Sequence, residues 1–84
     1  MSKAQQTKLN IDLSDKLANF LITQPRVLKK YASCSYVVFS SKNFELNKLN
    51  HHLIDELLLE GKGVVKAEET DNFTKPWIFT AVIN

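Results

Sequence analysis

Apolar residues in the first third of the chain recur with the spacing of an amphipathic helix. Four of them fall on one helical face: Leu13, Leu17, Phe20 and Leu21. Asp12 or Ser14 can cap the first exposed amides of this helix. Pro25 ends the helix, because proline lacks the backbone donor that a continuing helix needs. Proline also suits the first turn of a new helix, so residues 26–31 are predicted to form a short second helix.

The first eight residues are polar and show no hydrophobic periodicity. Such a segment has nothing to bury, so we expect residues 1–8 to form a flexible N-terminal tail. The folded domain is then expected to span residues 9–84.

The middle of the chain predicts a strand, a helix and a second strand. SYVVFS, residues 35–40, is apolar on both alternating faces, which is typical of a strand buried inside a covered sheet. A helical pattern follows over residues 44–60, and Gly61 suits its left-handed C-cap. VVKAEE, residues 64–69, alternates more clearly and predicts a strand at a sheet edge. This unit has the length and order of a right-handed βαβ crossover, so we expect its strands to be parallel.

PWIFTAVIN, residues 76–84, predicts a third strand that adds antiparallel and is again apolar on both faces. Because the first and third strands both look fully buried, we expect the strand order 2-1-3, with 1-2-3 as the alternative. The predicted fold is therefore an α/β domain bordering on α+β, with element order ααβαββ. Two N-terminal helices pack on a three-stranded mixed sheet that contains one βαβ unit.

Composition limits the classes of function. At 84 residues, the chain buries only about 60–65% of its unfolded surface, so a second copy or another protein can add to its stability. The net charge is +2, and the densest basic group is Arg26, Lys29 and Lys30. This group is sparse for a nucleic-acid surface, so weak nucleic-acid binding ranks third among the possible functions.

The cellular environment can be predicted from cysteine usage and from the amino terminus. A single cysteine, Cys34, excludes an intramolecular disulfide and favours a reducing compartment. MSKAQQTKLN lacks the apolar run of a secretory signal, and no stretch reaches the roughly 20 apolar residues of a membrane span. We expect a cytoplasmic protein that does not enter a membrane.

Two adjacent histidines raise the question of a metal site. On a helical wheel, His51 lies at the edge of the apolar face near Asp55, while His52 points away beside Glu56. Neighbouring residues cannot jointly bind one ion, and each possible pair offers only two ligands where zinc needs three or four. Both histidines are predicted to lie on a solvated surface, with no metal bound.

Asn50 lies inside the apolar stripe of the same helix. A buried amide must find hydrogen-bond partners or cost about 1–3 kcal/mol. We expect it to bond to a loop backbone or to a water. The alternative is a polar specificity element at a protein interface.

The loop after the first strand is a candidate anion site. Ser40, Ser41, Lys42 and Asn43 lie where a parallel strand ends and a helix begins. Ligands of open α/β sheets bind there, and a helix amino terminus offers free N–H groups to an anion. Ser41 or Asn43 as a simple N-cap explains the same residues. A small anion or a nucleotide is therefore the second candidate ligand class.

Three apolar residues are candidates for a contact patch: Leu59, Phe73 and Trp77. Their positions support a protein-interaction or regulatory module that self-associates or binds another protein, through this patch or through an open sheet edge. No nucleophile, base and orienting group occur together, and Cys34 is expected to be a packed side chain. We therefore expect neither an enzyme nor a cofactor.

Several stretches resemble a family of short prokaryotic α/β proteins catalogued as a domain of unknown function. The similarity covers roughly residues 9–66 and rests on NFLITQPRVLKKY, YVVF, FELNKLN and LLEGKGVV. The matching positions are Leu21, Pro25, Val27, Leu28, Val37, Val38, Phe39, Gly61, Lys62, Val64 and Val65. Members tend to carry a Pro-x-Gly-type turn where this chain has ASCS, residues 32–35. The resemblance implies the α/β fold and assigns no activity.

Overall fold

The computed structural model describes residues 1–82 of the chain. Its helices are α1 (Lys3–Leu21), α2 (Pro25–Lys30) and α3 (Phe44–Leu59), and its strands are β1 (Ser35–Phe39), β2 (Val64–Glu69) and β3 (Trp77–Val82). β1 and β2 are parallel, and β3 pairs antiparallel with β2. The predicted element order and the βαβ unit are confirmed. The predicted continuation of β3 through residues 83 and 84 lies outside the described residues.

The strand order is β1-β2-β3, so the expected order 2-1-3 is wrong and the alternative 1-2-3 is confirmed. β2 is the central strand, and its Val64, Val65 and Ala67 are at most 1% exposed. The alternating pattern of β2 arises because Lys66 and Glu68 lie on a part of the sheet that no helix covers. The short connection over residues 70–76 favours the local β2–β3 hairpin, because a short loop costs little closure entropy.

α1 begins at Lys3, so the expected tail over residues 1–8 is instead mostly helical. Ser2 accepts a hydrogen bond from the Gln5 amide at 3.1 Å, and the Gln5 side chain accepts one from the Ser2 amide at 2.9 Å. This reciprocal pair is a capping box, which satisfies two free donors of the first helical turn. The Ser-x-x-Gln spacing of residues 2–5 was the sequence signal for it.

The two faces of the sheet pack against different helices. The face that contacts α1 carries Val38, Ala67 and Trp77, and its core also takes up Leu13, Leu17, Leu21 and Leu46. The opposite face, which we call the α3 face, packs Val37, Phe39 and Val64 against Ile54. α3 covers only part of this face. Lys66, Glu68, Ile78 and Thr80 share it by register and keep partial or full exposure.

Asn50 joins three elements although it is fully buried. Its side-chain nitrogen donates to the Val38 carbonyl and to Asn10 Oδ1, both at 2.8 Å. Its side-chain oxygen accepts from Asn10 at 3.2 Å and from Gln6 at 3.3 Å. These four bonds use the full capacity of one amide. We had expected a loop backbone or a water as the partner of Asn50. Its main-chain partner instead belongs to strand β1.

We predict that Asn50→Ala destabilises the fold by about 2–3 kcal/mol, because it removes the partners of the Val38 carbonyl and of the half-buried Asn10 amide. Urea denaturation followed by circular dichroism measures this loss. The control is Lys48→Ala, an exposed site on the same helix, which should change stability by less than about 0.5 kcal/mol. Equal effects of the two substitutions would contradict the role of Asn50.

Candidate functional site

The loop between β1 and α3 is closed by its own hydrogen bonds. The Ser40 amide donates to Asn47 Oδ1 at 2.7 Å, and Ser40 Oγ accepts from the amides of Lys42 and Asn43, each at 3.1 Å. Asn43 Oδ1 accepts from the Leu46 amide at 3.0 Å, which makes Asn43 the N-cap of α3. The backbone amides of all four predicted residues, Ser40 to Asn43, are therefore already engaged within the protein.

Carboxylates occupy the place where the sequence predicted an anion. The amide and the hydroxyl of Ser41 both donate to Glu69 Oε1, at 3.2 Å and 3.1 Å, and the hydroxyl also lies 3.3 Å from Asp71 Oδ1. Lys16 lies 3.5 Å from the other oxygen of Glu69. The four predicted residues are thus brought together, and they line an open cavity of about 420 Å³. The carboxylates in its lining, Asp12, Glu69 and Asp71, outnumber its lysines, Lys16 and Lys42, so its charge does not favour an anion.

The three predicted contact residues do not form one patch. Leu59 and Phe73 are 89% and 99% exposed, whereas Trp77 is 6% exposed and packs in the core against α1. Phe73 lies in the loop between β2 and β3. Leu59 ends α3 at the opposite end of the sheet, before β2 begins. The expectation of a shared surface containing Trp77 is therefore wrong.

The outer edge of β3 has no partner strand within residues 1–82. The Thr70 amide donates to the Pro76 carbonyl at 2.8 Å, which fixes the alternation of the antiparallel β2–β3 ladder. The main-chain N–H and C=O groups of Ile78 and Thr80 therefore point toward β2. Those of Trp77, Phe79 and Ala81 point away from β2, toward the open edge. The structure therefore presents three residues whose N–H and C=O groups are positioned for another strand.

Nothing in the sequence of β3 protects this edge from pairing. WIFTAV contains no charged residue and no proline. Natural edge strands are usually blocked by lysine, proline or a bulge, because an open edge invites pairing with other chains. Lys75 and Pro76 lie just before the strand and leave residues 77–82 unblocked. An unblocked edge of this kind is suited to binding.

The opposite edge of the sheet is partly covered. The Ser35 amide donates to the Gly63 carbonyl at 2.8 Å, so the main-chain groups of Tyr36 and Val38 point away from β2. The Val38 carbonyl accepts a hydrogen bond from the Asn50 side chain, and α1 and α3 both contact β1. The two edges therefore differ, and β3 is the edge open to a partner.

An aromatic cluster supports β3 from the α1 side of the sheet. The Phe79 ring lies 6.2–6.3 Å from the rings of Phe20, Tyr31 and Tyr36. Such ring pairs add to the free energy of burial and fix side-chain orientation. Packed aromatic side chains thus hold β3, the strand that carries the open edge, in place.

A shallow groove beside β3 lies on the α3 face. It has a volume of about 520 Å³, and its lining includes Phe39, Phe44, His51, Lys66 and Ile78. The Lys66 ammonium lies 4.7 Å from the centre of the Phe39 ring, and the His51 ring lies 4.9 Å from it on another side. His51 therefore contacts an aromatic ring.

The remaining chemistry predicted from the sequence is placed as follows. Both histidines are exposed, as predicted, and Cys34 is half-buried beside Gly63. Within residues 1–82, no group of three or more His, Cys, Asp or Glu side chains is arranged to hold a metal ion. None of the helices in the same range combines the length and hydrophobicity that a membrane span requires.

Comparison with protein-family models, with curated proteins and with solved structures returned no match. The resemblance to a family of short prokaryotic proteins therefore stays a prediction.

The sequence predicted an open sheet edge as a possible binding surface, and the alternation in VVKAEE placed β2 at an edge. The uncharged run WIFTAV did not identify β3 as an edge strand, because a strand apolar on both faces can also be central.

Glu69 makes stability depend on acid pH. Partial burial by itself raises the pKa of this carboxyl, but the two hydrogen bonds from Ser41 and the Lys16 ammonium outweigh burial and lower the pKa below its ordinary value of 4.5. The stabilisation is then fully present above pH 4.5 and is lost as the pH falls through the folded-state pKa.

We predict that Glu69→Gln lowers the free energy of unfolding by about 1 kcal/mol at neutral pH, and that its difference from the parent chain shrinks below about pH 4.5. Urea titrations at pH 7, 5, 4 and 3 measure this difference. Glu56→Gln, at an exposed position of α3, serves as the control. A Glu69→Gln effect that is independent of pH would contradict the assignment.

The Tyr36 hydroxyl is buried and has no hydrogen-bond partner among the described residues. Burial, with smaller contributions from Cys34 and Tyr31, raises the pKa of Tyr36 above its ordinary value. The ring contributes packing, whereas the hydroxyl contributes only a desolvation cost.

We predict that Tyr36→Phe leaves stability unchanged or raises it by up to about 1 kcal/mol, while Tyr36→Ala lowers it by about 3 kcal/mol. Thermal and urea denaturation compare the two variants. Loss of more than about 1 kcal/mol in Tyr36→Phe would show that the hydroxyl has a stabilising partner.

Proposed function

We propose that this chain is a non-enzymatic protein-interaction module whose binding surface is the outer edge of β3. The observation that carries the proposal is the set of outward-facing main-chain groups at Trp77, Phe79 and Ala81, on a strand without charge or proline. These groups offer hydrogen bonds to any extended segment that aligns with them.

Binding of this kind adds a strand to the existing sheet. Main-chain hydrogen bonds supply affinity, and alternate side chains supply specificity. On β3, Ile78 and Thr80 point to the partly covered α3 face, while Phe79 and Ala81 point to the aromatic side. An incoming strand with apolar or hydroxyl-bearing side chains fits these neighbours, since no charged residue of β3 repels it.

The other candidate functions have less support from the geometry. An anion at Ser40 to Asn43 would have to displace internal hydrogen bonds and approach the carboxylates of Glu69 and Asp71. For nucleic-acid binding, the basic residues around the short helix α2 are exposed but form a sparse group, namely Arg26, Lys29 and Lys30. The Lys30 ammonium lies 5.3 Å from the centre of the Tyr31 ring. We further propose a cytoplasmic site of action, which the single cysteine supports.

A strand peptide tests the proposal directly. The probe is a synthetic peptide with the sequence of residues 75–82, KPWIFTAV, carrying added lysines at its ends for solubility. On titration of the intact chain, we expect amide exchange at Trp77, Phe79 and Ala81 to slow at least about fivefold, because these amides gain hydrogen bonds. The amides of Ile78 and Thr80 already bond β2 and should change little.

Two variants of one position provide the matched control. Ala81→Pro removes an outward N–H, whereas Ala81→Val keeps it at the same exposed position. We expect Ala81→Pro to weaken peptide binding by about tenfold, equivalent to one lost hydrogen bond, and Ala81→Val to bind like the parent. Unchanged amide signals at millimolar peptide, in a chain that sediments as a monomer at the concentration used, would overturn the proposed function.

A further inference from the structure

We infer that the strand accepted by β3 is β3 of a second copy of this chain, paired antiparallel about a two-fold axis at Phe79. The inference rests on the proposed function and names its partner. It predicts a continuous six-stranded sheet, with the order β1-β2-β3 in one copy continued by β3-β2-β1 in the other.

The alternation of main-chain groups restricts the register. Within the described strand Trp77–Val82, only Trp77, Phe79 and Ala81 direct their N–H and C=O groups outward. We therefore pair each of them with one of the same three residues in the other copy. A two-fold axis at Phe79 pairs Phe79 of one copy with Phe79 of the other. It also pairs Trp77 of each copy with Ala81 of the other copy. Every outward group of residues 77–81 is then used, which gives about six main-chain hydrogen bonds. Axes at Ile78 or Thr80 leave one outward residue of the described strand unpaired.

Side chains in this register are compatible across the axis. Ile78 faces Thr80 of the second copy, and an apolar residue beside a threonine methyl is a favourable cross-strand pair. On the α3 face, side chains then line up across the two copies in two equivalent rows. Each row runs from Lys66 and Thr80 of one copy to Ile78 and Glu68 of the second copy. The charges at the two ends of every row are opposite, so the pairing brings no like charges together.

A second copy also fits the limited core of the chain. β3 has one buried residue, Trp77, among those described, while Ile78 is 41% exposed and Ala81 is exposed. Pairing would cover the main chain of this strand and part of Ile78. An interface built on one strand edge is smaller than the standard interface of about 800 Å² per partner, so we expect a dissociation constant in the micromolar range.

Cysteine cross-linking tests the register. Ile78→Cys and Thr80→Cys are prepared separately, each with Cys34→Ala so that no other thiol remains. Residues 78 and 80 face each other at a pair without main-chain hydrogen bonds, where the Cβ atoms come close enough for a disulfide. In a glutathione buffer, we expect the mixture of the two variants to form a covalent dimer at least about tenfold faster than either variant alone.

Sedimentation equilibrium of the unmodified chain tests the partner. We expect reversible dimers at micromolar to millimolar concentration, a dissociation constant raised about tenfold or more by Ala81→Pro, and no such change with Ala81→Val. A monomer up to millimolar concentration overturns the inference. If the strand peptide still binds in that case, the edge function stands and the partner is a different protein.

The cross-links distinguish the remaining outcomes. Rapid disulfide formation by Ile78→Cys alone or by Thr80→Cys alone overturns the axis at Phe79. A dimer in sedimentation that gives no cross-link in any mixture overturns pairing through β3. A dimer whose affinity is the same in Ala81→Pro also overturns it.

Discussion

One buried amide holds the helices of this protein on the sheet. Asn50 is fully buried, and it bonds α3 to the edge carbonyl of β1 and to two amide side chains of α1. In a non-polar environment these bonds are strong, and an unpaired partner is costly. The amide therefore fixes both the position of α1 and the lateral position of α3, which the interchangeable leucine contacts would leave less defined.

Blocking part of one sheet edge leaves the other as the better surface for binding. Asn50 occupies the Val38 carbonyl of β1, and both helices contact this strand, so an added strand could not pair with Val38. β3 has no such cover, and its alternate residues direct unused main-chain groups outward. The aromatic cluster around Phe79 keeps this strand in place. The proposed interaction thus depends on an asymmetry between the two edges of one small sheet.

The sequence predicted local elements well and neighbours across the sheet less well. Periodicity identified α3, Pro25 marked the break between α1 and α2, and Asn43 was one of two predicted caps. The polar first turns of α1 were missed because their stabilisation comes from Ser2, Gln5 and the distant Asn50. The candidate loop at Ser40 to Asn43 was located correctly, but the carboxylates of Glu69 and Asp71 reach it from another part of the chain.

By itself, the sequence determined the number and order of the helices and strands and the parallel βαβ unit, because periodicity and chain length act over short distances. Only the tertiary structure decided the strand order, the burial of Trp77 and the partners of Asn50. A sequence that is apolar on both faces fits a central strand and an edge strand alike, because helices that cover the sheet can bury its side chains in either position. Which edge stays open depends on where α1 and α3 pack, and that is a property of the folded chain.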